Sequence, residues 1–464
     1  MKSVLSKIDI TCHKGFDGTG VLSSMGPQNE TSSPLRLYYQ SVLNNGIDTT
    51  SETIQVGGIL TNSEKQYVSS LENLLIYKSN LQEIPKKSTE IPCVYAELTI
   101  SLFQDNPILT GNLLSDIGYA IGKIKNYAMK NKYIQKSTIL VTGGAGFIGS
   151  NLCEALLELN NNVVCLDNLS TGKMGNIKHL ISNPNFRFIG GDIRNETDCE
   201  KACENVEYVL HQAALGSVPR SIIDPVTSTN VNISGFVNML VAAKNANVKR
   251  FVYAASSSTY GDSKELPKVE AVIGKPLSPY AITKYVNELY AEIFHKTYGL
   301  DTIGLRYFNV FGRKQDPNGA YAAVIPKFVM QFMDYESPVI HGDGEYSRDF
   351  TYIDNVIQMN ILALSTTNKE ALNQVYNVAF GERTTLNQLV QILKDKLVKF
   401  DAGIAAVDIK YGPNRAGDIP HSLASIDKAK ELLGYHPKFS IEQGLEKAVA
   451  WYWKHLKEVV VSEK

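Results

Sequence analysis

At 464 residues, with 44% hydrophobic and 20% charged side chains, the chain reads as a soluble globular protein. It is too long for one ordinary core, so two or three domains are expected. A formal net charge of -1 gives no reason to expect nucleic acid or membrane insertion, and six cysteines at this length make no disulfide framework. Cys199 and Cys203 stand four apart, but no second Cys or His pair at ligand spacing accompanies them, so no metal is expected. Met1 to His13 lacks a sustained apolar core region, and no run approaches the ~18 apolar residues of a membrane span. The expected location is cytoplasmic, and the sequons at Asn29, Asn195 and Asn232 read as chance matches.

Residues 1–135 predict an N-terminal α+β accessory domain of unknown fold and role. Gly15 to Pro34 is rich in Gly, Ser, Thr, Asn and Pro and reads as loop. Gln66 to Tyr77 has helical spacing, and Cys93 to Leu102 reads as a strand. Asn112 to Lys132 carries Leu113, Leu114, Ile117, Ile121 and Ile124 on one helical face. No catalytic constellation is present. A packing or oligomerisation domain, a second activity without a readable motif, and a partly disordered extension all remain open.

From Thr138 the text becomes regular. Thr138-Ile-Leu-Val-Thr is a short β-branched run that ends in glycines, and Phe147 to Leu159 follows with Ile148, Leu152, Leu156 and Leu159 at helical period. Asn162 to Asp167, Phe186 to Asp192, Val206 to His211 and Lys249 to Ser256 are further strand candidates with helical patterns between them. Strands alternating with helices predict βαβ units, a doubly wound parallel sheet, and ligands at the carboxyl ends of the strands. Beyond about residue 310 loops dominate, such as Arg313 to Ala320 and His341 to Arg348, before a closing amphipathic helix over Ile441 to Leu456. That region predicts a smaller substrate lobe.

The glycines define the first ligand. Gly143, Gly146 and Gly149 satisfy GxxGxxG, while Gly144, Gly146 and Gly149 satisfy GxGxxG. Glycine lets a phosphate approach the main chain, and the helix that follows aims its free N–H groups and positive dipole end there. Asp167 ends the next strand, 18 residues past Gly149. An acid there suits the two ribose hydroxyls of NAD and repels the 2′-phosphate of NADP, although Lys173 keeps NADP open. Asp192 suits either an adenine amine or a simple turn.

The second constellation is Ser278-Pro-Tyr-Ala-Ile-Thr-Lys284. Ser278 can cap a helix and Pro279 suits its first turn, which puts Tyr280 and Lys284 on one face. Tyr119 and Lys123 share that spacing, so spacing alone proves little. The downstream pair differs because it follows a strand ending in Ser256-Ser-Ser-Thr-Tyr-Gly261. A tyrosine base at neutral pH needs its pKa lowered by about 3 units, roughly 4 kcal/mol. A cation ~4 Å away at an effective dielectric near 20 supplies about that much. Lys284 is such a cation, and Ser256 can bridge the phenolate to a substrate hydroxyl.

Taken together, Gly143 to Gly149, Asp167, Ser256, Tyr280 and Lys284 resemble the extended short-chain dehydrogenase/reductase family, and within it the nucleotide-sugar epimerases. The resemblance covers about residues 137–455. It includes Asp167-Asn-Leu-Ser-Thr-Gly172, His211-Gln-Ala-Ala214, Arg306-Tyr-Phe-Asn-Val-Phe-Gly312 and Ser347-Arg-Asp-Phe350, and nothing of residues 1–135. It implies a Rossmann-type domain over 136–310 interleaved with a substrate lobe over 311–464, and a homodimer through the helices at Val231 to Asn247 and Tyr280 to Tyr298. It implies NAD contacts from Gly143, Gly146, Phe147, Ile148, Gly149, Asp167, Asn168, Ser170, Thr171 and Gly172. Further along it implies contacts from Asp192, Ile193, Gln212, Ala213, Ala214, Asn230 and Tyr307, besides Tyr280 and Lys284.

The resemblance also implies a mechanism. Tyr280 takes the proton of a sugar 4-hydroxyl while NAD takes the C4 hydride, the 4-keto sugar turns over about its diphosphate link, and the hydride returns to the opposite face. Arg348 and Arg415 are implied at the diphosphate, Asn309 on the sugar–phosphate side, Asp418 at the nucleoside ribose, and Ala323 and Val324 at uracil. Ser257-Ser258 stand where related 4,6-dehydratases carry an Asp-Glu pair, which favours epimerisation. Ser422 stands where relatives restricted to plain hexoses tend to carry tyrosine. With Ser217, Ser256 and Ser257 also small, the expected substrate is UDP-GlcNAc/UDP-GalNAc or the corresponding uronic acids, as precursors of cell-surface polysaccharide. UDP-glucose/UDP-galactose epimerisation, and a net oxidoreductase, decarboxylase or dehydratase on the same fold, are the alternatives, with a non-catalytic scaffold behind them.

Overall fold

A computed structural model describes residues 133–317, 323–413 and 419–462, together with four strands nearer the N-terminus. The chain divides into two compact units, Met1–Tyr133 and Ile134–Lys464. In the first, strands β1 (Ile8–Asp9), β2 (Pro34–Val42), β3 (Thr53–Gly57) and β4 (Cys93–Ser101) form an antiparallel sheet in the order β1-β4-β2-β3. The expected strand at Cys93 to Leu102 is β4. Strands β1 to β3 are not among the elements expected from the sequence. The expected helices at Gln66 to Tyr77 and Asn112 to Lys132 lie outside the described residues, as does the Gly15 to Pro34 loop up to Pro34, which opens β2.

The second unit is built on a seven-stranded, all-parallel sheet. Its strands are β5 (Thr138–Thr142), β6 (Asn162–Asp167), β7 (Phe186–Gly190), β8 (Tyr208–His211), β9 (Arg250–Ser256), β10 (Thr302–Tyr307) and β11 (Gln374–Val378). Their order is β11-β10-β9-β8-β5-β6-β7. The order reverses at β5, so the loops leaving β5, β6 and β8 open a crevice at the strands' carboxyl ends. Helices cover both faces, which is why the strand interiors are continuous apolar runs. Ile139, Leu140, Val141, Val209 and Leu210 are fully buried. Each such side chain contributes about 1.5–3 kcal/mol.

Helix α1 (Phe147–Glu158) buries Leu152, Cys153 and Leu156 on the sheet, and α2 (Glu196–Cys203) is capped by Asn195, which accepts from Thr197 N and Asp198 N. Helix α3 (Gly235–Asn245) buries Phe236, Met239 and Leu240 and is entered through a π-turn at Asn230–Ser234. Helix α4 (Pro279–Tyr298) starts as its sequence predicts: Ser278 Oγ accepts from Ala281 N at 3.1 Å and Pro279 fills the first turn. It stops at Gly299, whose φ of 74° suits glycine.

A buried ion pair fixes α4 against β10. Arg306 Nε and Nη2 donate to Glu288 at 2.9 and 2.7 Å, with both side chains almost fully enclosed. Edge strand β11 comes from sequence beyond 310, so the substrate lobe and the sheet share chain. In the lobe, Ser347–Arg348 pairs antiparallel with Thr384–Thr385, and helix α5 (Leu386–Val398) follows with a capping box between Thr385 and Gln388. The closing helix runs over Ile441–Ser462. Among the described residues no helix is long and apolar enough to cross a membrane, and no group of three or more His, Cys, Asp or Glu is placed to hold a metal.

Candidate active site

The glycine turn is shaped by close approach. Gly143 has a φ of 65°, and a Cβ there would lie 2.8 Å from the Ala213 backbone. A Cβ on Gly149 would lie 2.1 Å from Gly143 O. Gly143, Gly146 and Gly149 line a cavity of about 500 Å3, whereas Gly144 turns inward onto the sulfurs of Cys165 and Cys153. This geometry separates the two motifs: the cavity-facing set is GxxGxxG, and Gly144 packs inward.

Asp167 sits on the rim of the same cavity. Its carboxylate accepts from Ala145 N at 2.9 Å and Leu169 N at 2.7 Å, which holds it against the glycine turn with acceptor capacity left over. Gly172 packs directly on this carboxylate, where a Cβ would come within 2.8 Å. Lys173, the residue that kept NADP open, is paired with Asp316 at 2.7 Å and does not line the cavity. Asp192 lines it, but Arg194 grips its carboxylate (Nη2 to Oδ2 at 2.6 Å) and Asn168 donates to it at 2.8 Å. These bonds, Arg194's first, hold the Asp192 pKa down at about 2.

Phe147, Ile148, Asn168, Ser170, Thr171, Ile193, Ala213 and Ala214 line the cavity as well. So do Gln212 and Tyr307, which are tied together, the Tyr307 hydroxyl donating to Gln212 Oε1 at 3.0 Å. Asn230 does not: it lies exposed at the start of the π-turn.

Ser256, Tyr280 and Lys284 converge on the inner wall of this cavity. Ser256 stands close enough to Tyr280 to act on its phenol and is itself met by Ser258, whose Oγ donates at 2.9 Å and N at 3.2 Å. The Lys284 ammonium donates to Ala254 O at 2.8 Å and lies 6.0 Å from the Tyr280 ring centre. Burial pushes the Tyr280 phenol up and Ser256 opposes it, while burial pulls Lys284 down to about 8. Below the pair, His211 is held neutral, its pKa drawn to about 3 by burial and by Lys284.

A second cavity, of about 550 Å3, opens beside the first and shares Asn309 with it. It is lined by Ser257, Ser258, Arg348 and Ser422, together with Lys268, His421 and the apolar Val218, Ile222 and Phe308. Asn309 itself has a strained φ of 32°, held by its side chain donating to Asp349 O at 3.3 Å. Ser217 stays outside this cavity and caps the short helix Val218–Ile223, accepting from Arg220 N at 3.2 Å. Ala323 and Val324, at the start of the helix Val324–Met333, line neither cavity. Arg415 and Asp418 lie outside the described residues.

Three functional candidates are missed by sequence reasoning. Lys268 and His421 sit in loops with no periodicity to mark them. Asp349, beside Arg348, is fully buried and accepts from Phe380 N, Gly381 N and Ala424 N at 3.1 to 3.3 Å. It thereby clamps the segments that carry Arg348 and Ser422. An acid inside the run Ser347-Arg-Asp-Phe350 was the one available signal.

Comparison with known proteins fits this arrangement. The chain matches the NAD dependent epimerase/dehydratase family over residues 139–379. UDP-glucose 4-epimerase of Mycolicibacterium smegmatis is 32% identical over 315 residues, covering 68% of this chain and 97% of the relative. A solved structure of UDP-N-acetylglucosamine 4-epimerase from Methanobrevibacter ruminantium M1, in complex with UDP-N-acetylmuramic acid, is 41% identical with a TM-score of 0.65, over 69% of this chain and 99% of the other. That of UDP-glucuronic acid 4-epimerase from Bacillus cereus, with UDP-glucuronic acid and NAD, is 33% identical with a TM-score of 0.62, over 68% and 99%. The chain therefore belongs to the NAD dependent epimerase/dehydratase family, as an enzyme of the extended short-chain dehydrogenase/reductase type. Its cofactor is NAD, and the Cβ-free cradle at Gly143 and Gly149 with the acid of Asp167 opposite fits that group.

Proposed function

We propose that the chain is an NAD-dependent UDP-sugar 4-epimerase that interconverts UDP-N-acetylhexosamines, UDP-GlcNAc and UDP-GalNAc, in the supply of cell-surface polysaccharide precursors. The observation that carries this reading is the pair of joined cavities, with Ser256, Tyr280 and Lys284 in one and small Ser257 and Ser422 walling the other. Bound NAD supplies a reversible hydride acceptor and, when oxidised, a positive charge beside Tyr280. The chain's own residues do the rest. Tyr280 takes the proton at the 4-hydroxyl, and Ser256 bridges its phenolate to that hydroxyl. Lys284 stabilises the phenolate through its field and is aimed by Ala254 O. Arg348 holds the diphosphate while the sugar turns over, so either face of C4 can be presented.

Among the described residues, none lining the second cavity is an Asp or Glu, which speaks against elimination of water from the sugar. The test is a coupled assay with UDP-GlcNAc, UDP-GalNAc, UDP-glucose and UDP-galactose. The N-acetylated pair should be preferred. Ser422→Tyr should cut their kcat/KM by about 5- to 150-fold, the equivalent of 1–3 kcal/mol of overpacking, and spare the plain hexoses. Preference for UDP-glucose by the unsubstituted chain would sink the reading.

A homodimer is part of the proposal. Helices α3 and α4 leave Val241, Ile282, Leu289, Tyr290 and Ile293 exposed on their outer faces, an apolar surface suited to a second copy. Action in the cytoplasm, where sugar nucleotides are made, completes it.

A further inference from the structure

Three extended segments run side by side along one wall of the second cavity. Ser347 bridges His421, and Ser422 N donates to Ser347 O at 3.0 Å. On the far side of the same segment Lys268 bridges Ala424, its N donating to Leu423 O at 2.7 Å and its carbonyl accepting from Ser425 N at 2.9 Å. Arg348 and Lys268 therefore flank Ser422 from opposite sides, and both line the cavity. The guanidinium of Arg348 is anchored by the Ser347 and Pro420 carbonyls, at 3.0 and 3.1 Å, on its own flank.

Lys268 is a cation with little water around it: the residue is 6% exposed. The structural bridging at this position is done by its main chain, with Asn377 Nδ2 also donating to its carbonyl at 3.0 Å. None of that needs an ammonium. The side chain donates to Ser263 O, which uses one of its three donors. Glu265 acts on it only through its field, and burial pulls its pKa down. A buried ammonium is costly unless it meets an anion, and here the rest of the cavity wall among the described residues offers hydroxyls, apolar groups, the Asn309 amide, His421 and Arg348, and no carboxylate.

We infer that Lys268 is a specificity-determining residue that receives an anionic substituent of the sugar, so that the favoured substrates are the UDP-N-acetylhexosaminuronates, with a carboxylate at C6, over their neutral counterparts. The inference rests on the proposed reading of this cavity as the sugar site and deepens it. Arg348 on its own flank serves the diphosphate that every substrate shares, and Lys268 on the other flank meets the group that distinguishes them. Turning the sugar over about its diphosphate link exchanges the sides to which C2 and C6 point. The small hydroxyl wall of Ser257, Ser258 and Ser422 admits the acetamido group in either pose, and Lys268 pairs with the carboxylate in one of them.

The experiment uses the full chain with its NAD. Steady-state epimerisation is measured for UDP-GlcNAc, UDP-glucose and the C6 acids of both, and inhibition by UDP is measured separately. The unsubstituted enzyme should have the lower KM for the acid of the N-acetylated pair. In Lys268→Met the ratio of acid to neutral KM should rise by about 10- to 150-fold, the worth of one hydrogen bond to a charged group, and Lys268→Arg should recover part of it. The UDP inhibition constant should move less than the acid's KM. Equal changes for acid and neutral sugars, a matching loss of UDP inhibition, or an unsubstituted enzyme that prefers the neutral sugar would each overturn the inference. Turnover of UDP-glucose with neither N-acetylated sugar accepted would instead overturn the underlying reading. If Lys268→Met loses its NAD or its melting transition, the KM ratio of the unsubstituted enzyme and of Lys268→Arg decides.

Discussion

Adding one methyl group at Gly149 should separate NAD binding from the rest of the fold. The Cβ of Gly149→Ala would lie 2.1 Å from Gly143 O and 2.8 Å from both Gly143 C and Gly144 Cα. Ordinary carbon contacts begin near 3.5 Å. Every one of these neighbours is backbone, so no side chain can swing aside. The first turn of α1 or the Gly143 turn has to retreat by about 1 Å, and that is the gap across which backbone N–H groups meet a phosphate. Overpacking of this kind costs about 1–3 kcal/mol. Because the displaced atoms are the cradle itself, most of that should fall on the cofactor, weakening NAD by about 5- to 150-fold. The assay is the NAD content of the purified protein, released by denaturation and counted enzymatically, beside the melting temperature. Gly175→Ala is the control, since a Cβ there meets nothing within 4 Å. Full NAD occupancy in Gly149→Ala, or equal loss in Gly175→Ala, would refute the reasoning.

Lys284 and Asp349 each give a pH signature. The pKa of Lys284 is lowered from 10.5 to about 8, so its cation, and with it the field on Tyr280, is lost as pH rises through about 8. The kcat should fall on that limb, and Lys284→Arg, whose charge persists, should move the fall to higher pH; an unmoved limb counts against Lys284 as the controlling group. Burial raises Asp349 from 3.8 to about 7, ahead of the opposing N–H bonds from Ala424, Phe380 and Gly381. The folded carboxyl thus binds its proton more tightly than the unfolded one, so its stabilising share is present at low pH and is lost as pH rises from about 4 towards 7. The melting temperature should decline over that window and flatten in Asp349→Asn; equal slopes in both proteins would show that Asp349 does not titrate there.

How far the sequence could be read follows from the range over which each feature is determined. The sheet, α1 and α4 were legible because their signals are local: apolar runs such as Val163 to Leu166, a Ser-Pro helix start, and an acid at a strand end. The convergence of Ser256, Tyr280 and Lys284 was legible because two of the three share one helix face and the third ends the neighbouring strand. The hold of the Ala254 carbonyl, 30 positions away, on the Lys284 ammonium was not. The choice between Gly143 and Gly144 was hidden for the same reason, resting on Cys165 of β6 and Ala213 just beyond β8 packing against the turn. The second cavity was the least legible part. Its wall is three segments that meet at residues 268, 347 and 421–425, held by one pair of main-chain bonds at each bridge and by a buried carboxylate. No periodicity marks such contacts, because none of the segments is long enough to have a period. On the proposed reading, the residues that select the sugar therefore sit where the sequence signal is weakest, while Ser256, Tyr280 and Lys284 sit where it is strongest.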